Sequence, residues 1–399
     1  MINFVFSKNK LFIILFLYLC TCAVSSYLGG AYYYGILMFL SSIFVLLQNN
    51  KSVYKNGLYI LIIAILSTII NYPSTPQIFK PINRLFTLII VMIACGPIFF
   101  NPKIYRFRHR LFGGLTIGLS LIGVISAYLA TKGWGYMNDT IWLIGLSDYP
   151  NALGYSLAIS VMYICSSIPS VKFYYKIIFL GLIFLCIWAI PLTGTRTAFY
   201  SIPIFIIIYI FLTSKDIKSI INSVLLVSVV VFIFFSFINL DTTIIDKKNK
   251  GQTLEDNSRT ALFESRIKEF KEHPIMGIGT FVADLRWTPV NSNGNVEAGN
   301  TFLMFLSMNG IIGFINFIFV YFSLLIPFAK YILKKRRLGT ITNFEIFLSS
   351  IVVYNFISMM QMGILLNPGM YITGINWLVL SLIYKPDKYL SKTSNNIFI

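Results

Sequence analysis

Long apolar runs separated by short polar segments fill almost the whole chain. Twelve runs are long enough, with tilt or with neighbouring helices, to cross about 30 Å of hydrocarbon. They cover residues 11–28, 31–47, 57–70, 85–100, 111–130, 153–167, 177–193, 198–213, 219–239, 303–329, 343–360 and 368–384. A helix satisfies its own backbone hydrogen bonds, as a segment in lipid must. The pattern therefore predicts an all-α integral membrane protein with about twelve transmembrane helices.

One long polar loop, about residues 240–300, interrupts this pattern. Asn257 or Ser258 can cap a helix that runs from about Arg259 to Glu272 and stops at His273-Pro274. Apolar residues recur in it at helical spacing, which predicts an amphipathic helix; they are Leu262, Phe263, Ile267 and Phe270. We expect three regions: transmembrane helices 1–9 in residues 1–239, a catalytic loop in 240–302, and helices 10–12 with a tail in 303–399.

The basic residues predict which side of the membrane each loop occupies. With the N-terminus inside, cytoplasmic loops and ends carry 20 of the 32 Lys and Arg residues. Most of the others lie in the long loop, where the rule is weak, leaving only Lys80, Arg84, Lys132 and Arg196 in short external loops. The predicted topology has both termini in the cytoplasm and the long loop outside. The first span, without a cleavage signal, is expected to be an uncleaved signal anchor.

Composition narrows the class further. Hydrophobic residues make up 57% of the chain and charged residues 12%, far from a soluble domain. The net charge of +18 then reflects topology and contact with anionic lipid of the bilayer, and no nucleic-acid partner is expected. All five cysteines lie in predicted spans, and the two histidines are far apart in sequence. Neither a disulfide framework nor a metal site is predicted.

Arg196 is the residue least explained by membrane topology. It stands alone in Leu192-Thr193-Gly194-Thr195-Arg196-Thr197, at the external end of a predicted span. A cation in a membrane helix is unfavourable by several kcal/mol at the centre, and the positive-inside rule disfavours it at an external end. Guanidinium groups bind phosphate in a bidentate manner. We therefore expect Arg196 to bind an anionic ligand.

The long loop supplies further polar candidates. Arg259 and Arg266 are seven residues apart, so they project on one side of the predicted helix. Gly277 and Gly279 permit a tight turn after that helix, and Asn300 can cap the next one.

Taken in order, these segments resemble the O-antigen ligase/polymerase superfamily of bacterial surface-polysaccharide assembly. The matching segments are Thr193 to Thr197, Ser258-Arg259 with Phe263, Pro274 to Gly279, Asn300, and Gly310-Ile311-Ile312-Gly313; Tyr149 to Gly154 is also similar to a family segment. The resemblance is close over residues 190–315 and elsewhere rests on helix count and topology.

The resemblance implies a glycosyltransferase of the bacterial inner membrane that needs no metal or other cofactor. Its donor would be an oligosaccharide on undecaprenyl pyrophosphate, used at the periplasmic face, and a chain-length regulator would be a possible partner. Arg196 and Arg259 match the family's donor-binding arginines and are expected to be catalytic. Arg266 is a further candidate for substrate binding, because it projects on the same side of the predicted helix as Arg259. Asn300, Gly277 and Gly279 are also expected to bind substrate.

Two departures from the family pattern favour a polymerase. Ligases of this family usually have a His, the proposed base, immediately before the asparagine matched by Asn300, whereas this chain has Gly299. Ligases also tend to have Gly where this chain has Tyr200. If a base is needed, Glu297 and Asp284 are the candidate carboxylates. An O-antigen ligase is the alternative function, and a lipid-linked oligosaccharide flippase is a further one, although the two halves of the chain show no repeat.

Overall fold

Helices make up nearly all of the ordered architecture. The computed structural model describes residues 10–71, 81–137, 142–214, 221, 225, 261–282, 284, 286–287 and 299–390. The helices are α1 (Lys10–Ala23), α2 (Gly30–Leu46), α3 (Lys55–Asn71), α4 (Pro81–Ala94), α5 (Pro102–Ala130), α6 (Pro150–Ser167), α7 (Phe173–Leu192), α8 (Arg196–Thr213), α9 (261–272), α10 (Thr301–Leu338), α11 (Asn343–Gln361), α12 (Tyr371–Leu382) and α13 (Pro386–Tyr389). Two short strands pair with each other in antiparallel fashion: β1 (Ser52–Val53), which lies between α2 and α3 in the chain, and β2 (Phe99–Phe100), which lies between α4 and α5.

The apolar helices match the predicted spans well. Six described helices are long and apolar enough to cross a membrane by length and composition: α5, α6 with its following 3-10 turn, α7, α8, α10 and α11. Five shorter apolar helices, α1 to α4 and α12, coincide with five other predicted spans. The predicted span 219–239 lies outside the described residues, apart from two isolated positions. The all-α class is confirmed, and the count of twelve crossings stays a prediction.

Two predicted boundaries were wrong for local reasons. The span predicted at 111–130 begins earlier, because Asn101 Oδ1 accepts the Ile104 N–H (2.7 Å) and Pro102 occupies the first turn of α5. The span predicted at 85–100 ends at Ala94, and the chain then turns into β2.

A buried arginine stabilises the end of α4. The Arg108 guanidinium donates to the carbonyl oxygens of Ala94 (2.9 Å), Phe99 (2.9 Å) and Ile93 (3.1 Å). The contacts with Ile93 and Ala94 satisfy carbonyls that the helix end leaves without an intrahelical partner, and the contact with Phe99 joins α5 to β2. Arg108 therefore has a structural role, although the sequence indicated only a cytoplasmic charge.

Hydrogen bonds between connecting segments place the helix ends in two groups. At one end, the Ser26 N–H donates to Leu146 O (3.1 Å) and the Leu143 N–H to Leu192 O (2.8 Å). Thr301 Oγ1 there donates to Met362 O (2.7 Å). We call this end, which carries α9 and residues 273–282 and 299–300, the loop end.

The opposite group of connections is the basic end. There Asn101 Nδ2 donates to Asn49 O (3.1 Å), and Tyr105 OH donates to Leu382 O (2.9 Å). This end carries most basic residues of the described chain, including those of Lys334 to Arg337. Among the connections that the structure describes, successive ones lie at opposite ends wherever a single helix separates them. Exposed aromatic residues flank the bundle at both ends, as in the aromatic belts of membrane proteins; they include Tyr27, Tyr32 and Trp134 at the loop end and Phe173 and Tyr174 at the basic end.

Candidate functional site

Arg196 is the first residue of α8, at the loop end, and its side chain is exposed. It forms no ion pair with any residue in the described ranges. The N-terminus of a helix carries partial positive charge and unpaired N–H groups, so a cation there is unfavourable and an anion favourable. A guanidinium beside a helix N-terminus therefore makes a local anion-binding arrangement.

The turn before Arg196 is held rigidly by neighbouring segments. Gly194 has φ +61°, and a Cβ there would lie 2.4 Å from Cζ3 of Trp142. Thr193 Oγ1 donates to Ile190 O (2.8 Å), and the Thr195 N–H donates to Thr193 Oγ1 (3.3 Å). The direction in which the chain enters α8 is thus fixed by packing as well as by hydrogen bonds.

The N-terminus of α6 braces the same turn. Thr195 Oγ1 contacts both Pro150 O (3.2 Å) and Asn151 Oδ1 (3.3 Å). A Cβ on Gly154 would lie 2.6 Å from the side chain of Thr195. The two sequence segments that resembled the family separately, 149–154 and 193–197, are therefore one structural unit.

Asn300 lies at the same loop end. Its Oδ1 accepts the Leu303 N–H (2.9 Å), so the predicted N-cap of α10 is confirmed. The capping bond uses the amide oxygen and leaves the Nδ2 group, the hydrogen-bond donor, without a partner among the described residues.

A relay of hydrogen bonds runs from the residue after Asn300 toward α6. Thr301 Oγ1 accepts the Ile364 N–H (3.1 Å), and the Thr373 hydroxyl lies within hydrogen-bond distance of Ile364 O (2.8 Å) and Asn367 O (2.7 Å). The segment then reaches Met370, whose Sδ accepts from Asn367 Nδ2 (2.7 Å) and Tyr149 OH (3.0 Å). The α10 cap and the brace of Arg196 are thus connected through the 362–373 segment, which the sequence analysis did not single out.

Gly277 and Gly279 are buried where the turn after α9 crosses α10. Gly277 has φ +71°, and a Cβ on it would lie 2.4 Å from the carbonyl carbon of Met308. The Ile278 N–H donates to Ser307 O (2.9 Å) and the Gly279 N–H to Met308 O (3.1 Å). These contacts explain both glycines by backbone packing. Substrate binding by them stays a prediction.

The crossing coincides with a break in α10 at Gly310. That residue has φ 65° and ψ −169°, so α10 consists of two helical parts rather than the single run predicted at 303–329. The Ile311 N–H donates to Pro274 O (2.9 Å). Polar side chains close the junction: Ser67 Oγ contacts Met308 O (2.7 Å), and Thr280 Oγ1 donates to Asn309 Oδ1 (2.6 Å).

The amphipathic helix α9 has the predicted period but a different buried face. Leu262, Ser265, Arg266 and Glu269 are buried, whereas Ile267 is exposed. The predicted apolar face was therefore only partly right: Leu262 is buried and Phe263 and Phe270 are half-buried, but the buried face also includes two charged residues that pair with each other. Arg266 Nη1 lies 2.9 Å from Glu269 Oε2, with side-chain exposures of 1% and 0%. Glu269 Oε1 also accepts the Asp284 N–H (2.9 Å), which ties the following segment to α9.

Asp284, one of the two carboxylates considered as the general base, forms an ion pair. Arg286 Nε lies 3.0 Å from Asp284 Oδ1 and 2.9 Å from Oδ2, and Arg286 also pairs with Glu272 at 2.7 Å. Hydrogen bonding from the Arg286 side chain holds the pKa of Asp284 below its ordinary value. A carboxylate that is bonded in this way is a poor general base.

Two other predicted site residues, Arg259 and Glu297, lie outside the described residues.

Gly299 packs against α9 directly before the Asn300 cap. Its φ is +68°, and a Cβ there would lie 3.3 Å from Leu262 Cδ2. Any other residue would have to adopt the left-handed conformation, which L-residues seldom do. The absence of His at this position is thus matched by a backbone that favours glycine.

Comparison with known families agrees with this assembly of segments. Residues 181–318 match the family described as O-antigen ligase. The match includes the Arg196 turn, α9, the glycine crossing and the Asn300 cap, and it confirms the resemblance to the O-antigen ligase/polymerase superfamily. Members of this family are glycosyltransferase-like membrane enzymes that act on lipid-linked glycans. No curated protein matches the chain. In the described part of the chain, no three His, Cys, Asp or Glu residues are grouped as metal ligands.

Proposed function

We propose that this protein is a surface-polysaccharide polymerase. It transfers a glycan from undecaprenyl pyrophosphate to a hydroxyl of an acceptor repeat unit, for O-antigen or capsule, without a metal ion. The reaction takes place at the loop end, which faces the periplasm, while the basic end and both termini face the cytoplasm of the inner membrane. A chain-length regulator is a further partner.

Arg196 carries the proposal. Its guanidinium, which has no ionic partner among the described residues, and the N-terminus of α8 together attract an anion, and the brace from α6 keeps both in position. A lipid-linked diphosphate provides such an anion at the membrane boundary. The family match over residues 181–318 supports a lipid-linked glycan as its source.

The proposed reaction depends on stabilising the negative charge of the pyrophosphate leaving group more than on protonating that group. The acceptor oxygen attacks the anomeric carbon, the bond from that carbon to the pyrophosphate oxygen breaks, and the lipid pyrophosphate leaves with the electron pair. Arg196 and Arg259 stabilise the negative charge that develops on this leaving group. The acceptor proton passes to a base, for which we retain Glu297, since the ion pair of Asp284 makes that residue less suitable.

The remaining assigned residues act around this centre. The Nδ2 group of Asn300, which has no partner among the described residues, binds the substrate, and Gly277 and Gly279 shape the backbone beside it. Arg266 was expected to bind substrate as well, but its buried pair with Glu269 favours a structural contribution.

A ligase that transfers finished glycan to lipid A-core is the second candidate, and the description of the matched family favours it. Gly299 favours the polymerase, because it provides no side chain at the position where a ligase presents its His. In a lipopolysaccharide-producing host, deletion of the gene distinguishes the two. Loss of the polymerase should leave a gel band of core plus one repeat unit. Core alone, with long glycan still on undecaprenyl pyrophosphate, would instead identify the ligase.

A further inference from the structure

The last turns of α10 carry a run of cations that divides into two functional sets. Lys335 Nζ lies 3.3 Å from Glu345 Oε1. The Arg336 guanidinium lies 4.1 Å from the ring centre of Phe211 and donates to Ser214 O (3.4 Å). Both residues thus contribute to contacts between helices.

The other set points outward. Lys330, Lys334 and Arg337 are exposed and follow each other at helical spacing, so they share one face of α10. With Leu333 and Leu338 they line an open groove of about 350 Å³ on the surface of α10. None of the three cations has an acidic partner among the described residues.

The same face of α10 is apolar on the side toward the membrane centre. Ile315, Phe319, Phe322 and Ile326 are exposed and recur at helical spacing up to Lys330. From Ile311 to Leu338 the helix rises about 42 Å at ~1.5 Å per residue, more than the ~30 Å of hydrocarbon. The cationic groove therefore lies near the membrane boundary, at the end of a stripe that faces lipid.

We infer that this groove binds an anionic phospholipid of the leaflet at the basic end. The phosphate contacts Lys330, Lys334 and Arg337, and an acyl chain lies along the stripe that ends at Ile326. A soluble acidic protein would account for the cations, but only a lipid accounts for the cations and the apolar stripe together.

Native mass spectrometry of the full-length protein in detergent, titrated with phosphatidylglycerol or phosphatidylcholine, tests the assignment. The Lys330→Gln/Lys334→Gln/Arg337→Gln variant should lose the tightest phosphatidylglycerol site, by roughly fivefold in affinity for each charge removed. The matched control is Lys103→Gln/Lys172→Gln/Lys176→Gln, which removes the same charge at the same end and should keep that site. Phosphatidylcholine binding should be equally weak in all forms.

Several outcomes would overturn the inference. They are equal losses in both triple variants, no loss in the groove variant, equal wild-type affinity for the two lipids, and displacement of the lipid by excess inorganic phosphate. Lys330→Arg/Lys334→Arg should retain binding. If the triple glutamine variant does not fold, Arg337→Gln alone should still weaken phosphatidylglycerol binding roughly fivefold, and unchanged affinity would contradict the assignment.

Discussion

Gly277 and Gly310 lie on two backbones that cross in direct contact. A Cβ on Gly277 would be 2.5 Å from the carbonyl oxygen of Met308, and a Cβ on Gly310 would be 2.2 Å from that of Ile275. Both residues also have positive φ. The turn after α9 can therefore reach the N-terminal part of α10, and with it Asn300, only if both positions are glycine.

Alanine at either crossing position should be destabilising. We expect Gly277→Ala and Gly310→Ala each to reduce stability by more than about 2 kcal/mol, because positive φ and steric overlap both oppose the side chain. Thermal unfolding of the purified protein in detergent measures the effect. Gly181→Ala in α7 is the control, since no atom lies within 4 Å of its added Cβ, and alanine in a helix is favoured by ~1 kcal/mol. Equal melting temperatures for all three variants would argue against the crossing.

The buried pair of Arg266 and Glu269 makes a prediction that separates structure from substrate binding. Arg266→Leu should destabilise the protein by about 3–5 kcal/mol, since it removes the cation that lies 2.9 Å from the buried Glu269 carboxylate. The Arg266→Leu/Glu269→Leu double variant should recover most of that stability and most of the polymerising activity. A stable but inactive double variant would instead show that Arg266 binds the substrate.

Asn300 combines a capping hydrogen bond with an Nδ2 donor that has no partner in the part of the chain that the structure describes. Asn300→Ala should reduce stability by about 1 kcal/mol because the cap of α10 is lost. Asn300→Asp keeps the capping oxygen and should unfold at nearly the wild-type temperature, yet form less polymer because the Nδ2 donor is gone. If Asn300→Asp is fully active, the residue acts only as a cap.

The assignment of the two ends can be checked by labelling. The five native cysteines lie within α1, α6, α7 or the end of α4, and four of them are buried. A membrane-impermeant maleimide should therefore label Lys132→Cys at the loop end in intact spheroplasts, but Thr340→Cys at the basic end only after lysis. The reverse pattern would place the candidate site in the cytoplasm.

Local sequence signals predicted the features that depend on neighbouring residues. The apolar runs gave the helices, Asn300 gave a cap, and His273-Pro274 marked the end of α9. The isolation of Arg196 in sequence also corresponds to an arginine without an ionic partner in the described structure.

Features that depend on distant partners could not be read in this way. The predicted buried face of α9 lacked Arg266 and Glu269, because these charged residues can be buried only when they pair with each other. The crossing of Gly277 and Gly310 requires knowing which backbones meet, as does the contact between Thr195 and Pro150. The cap that Arg108 of α5 provides for α4 could not be predicted either, since the carbonyl groups that it contacts lie outside its own helix.

The most direct measurement of the proposed function is polymer formation by the purified full-length protein carrying Arg196→Ala. The Arg196 side chain is exposed at a helix N-terminus, so its removal should leave the melting temperature unchanged or slightly raised. The rate should nevertheless fall about 30-fold to several thousand-fold, equivalent to ~2–5 kcal/mol for half of a desolvated ion pair. Arg196→Lys should recover only part of it, because lysine lacks the bidentate fork. Lys132→Ala, which removes another exposed cation of the loop end, should leave polymer formation normal. Near-normal polymer from a well-folded Arg196→Ala protein would contradict the account.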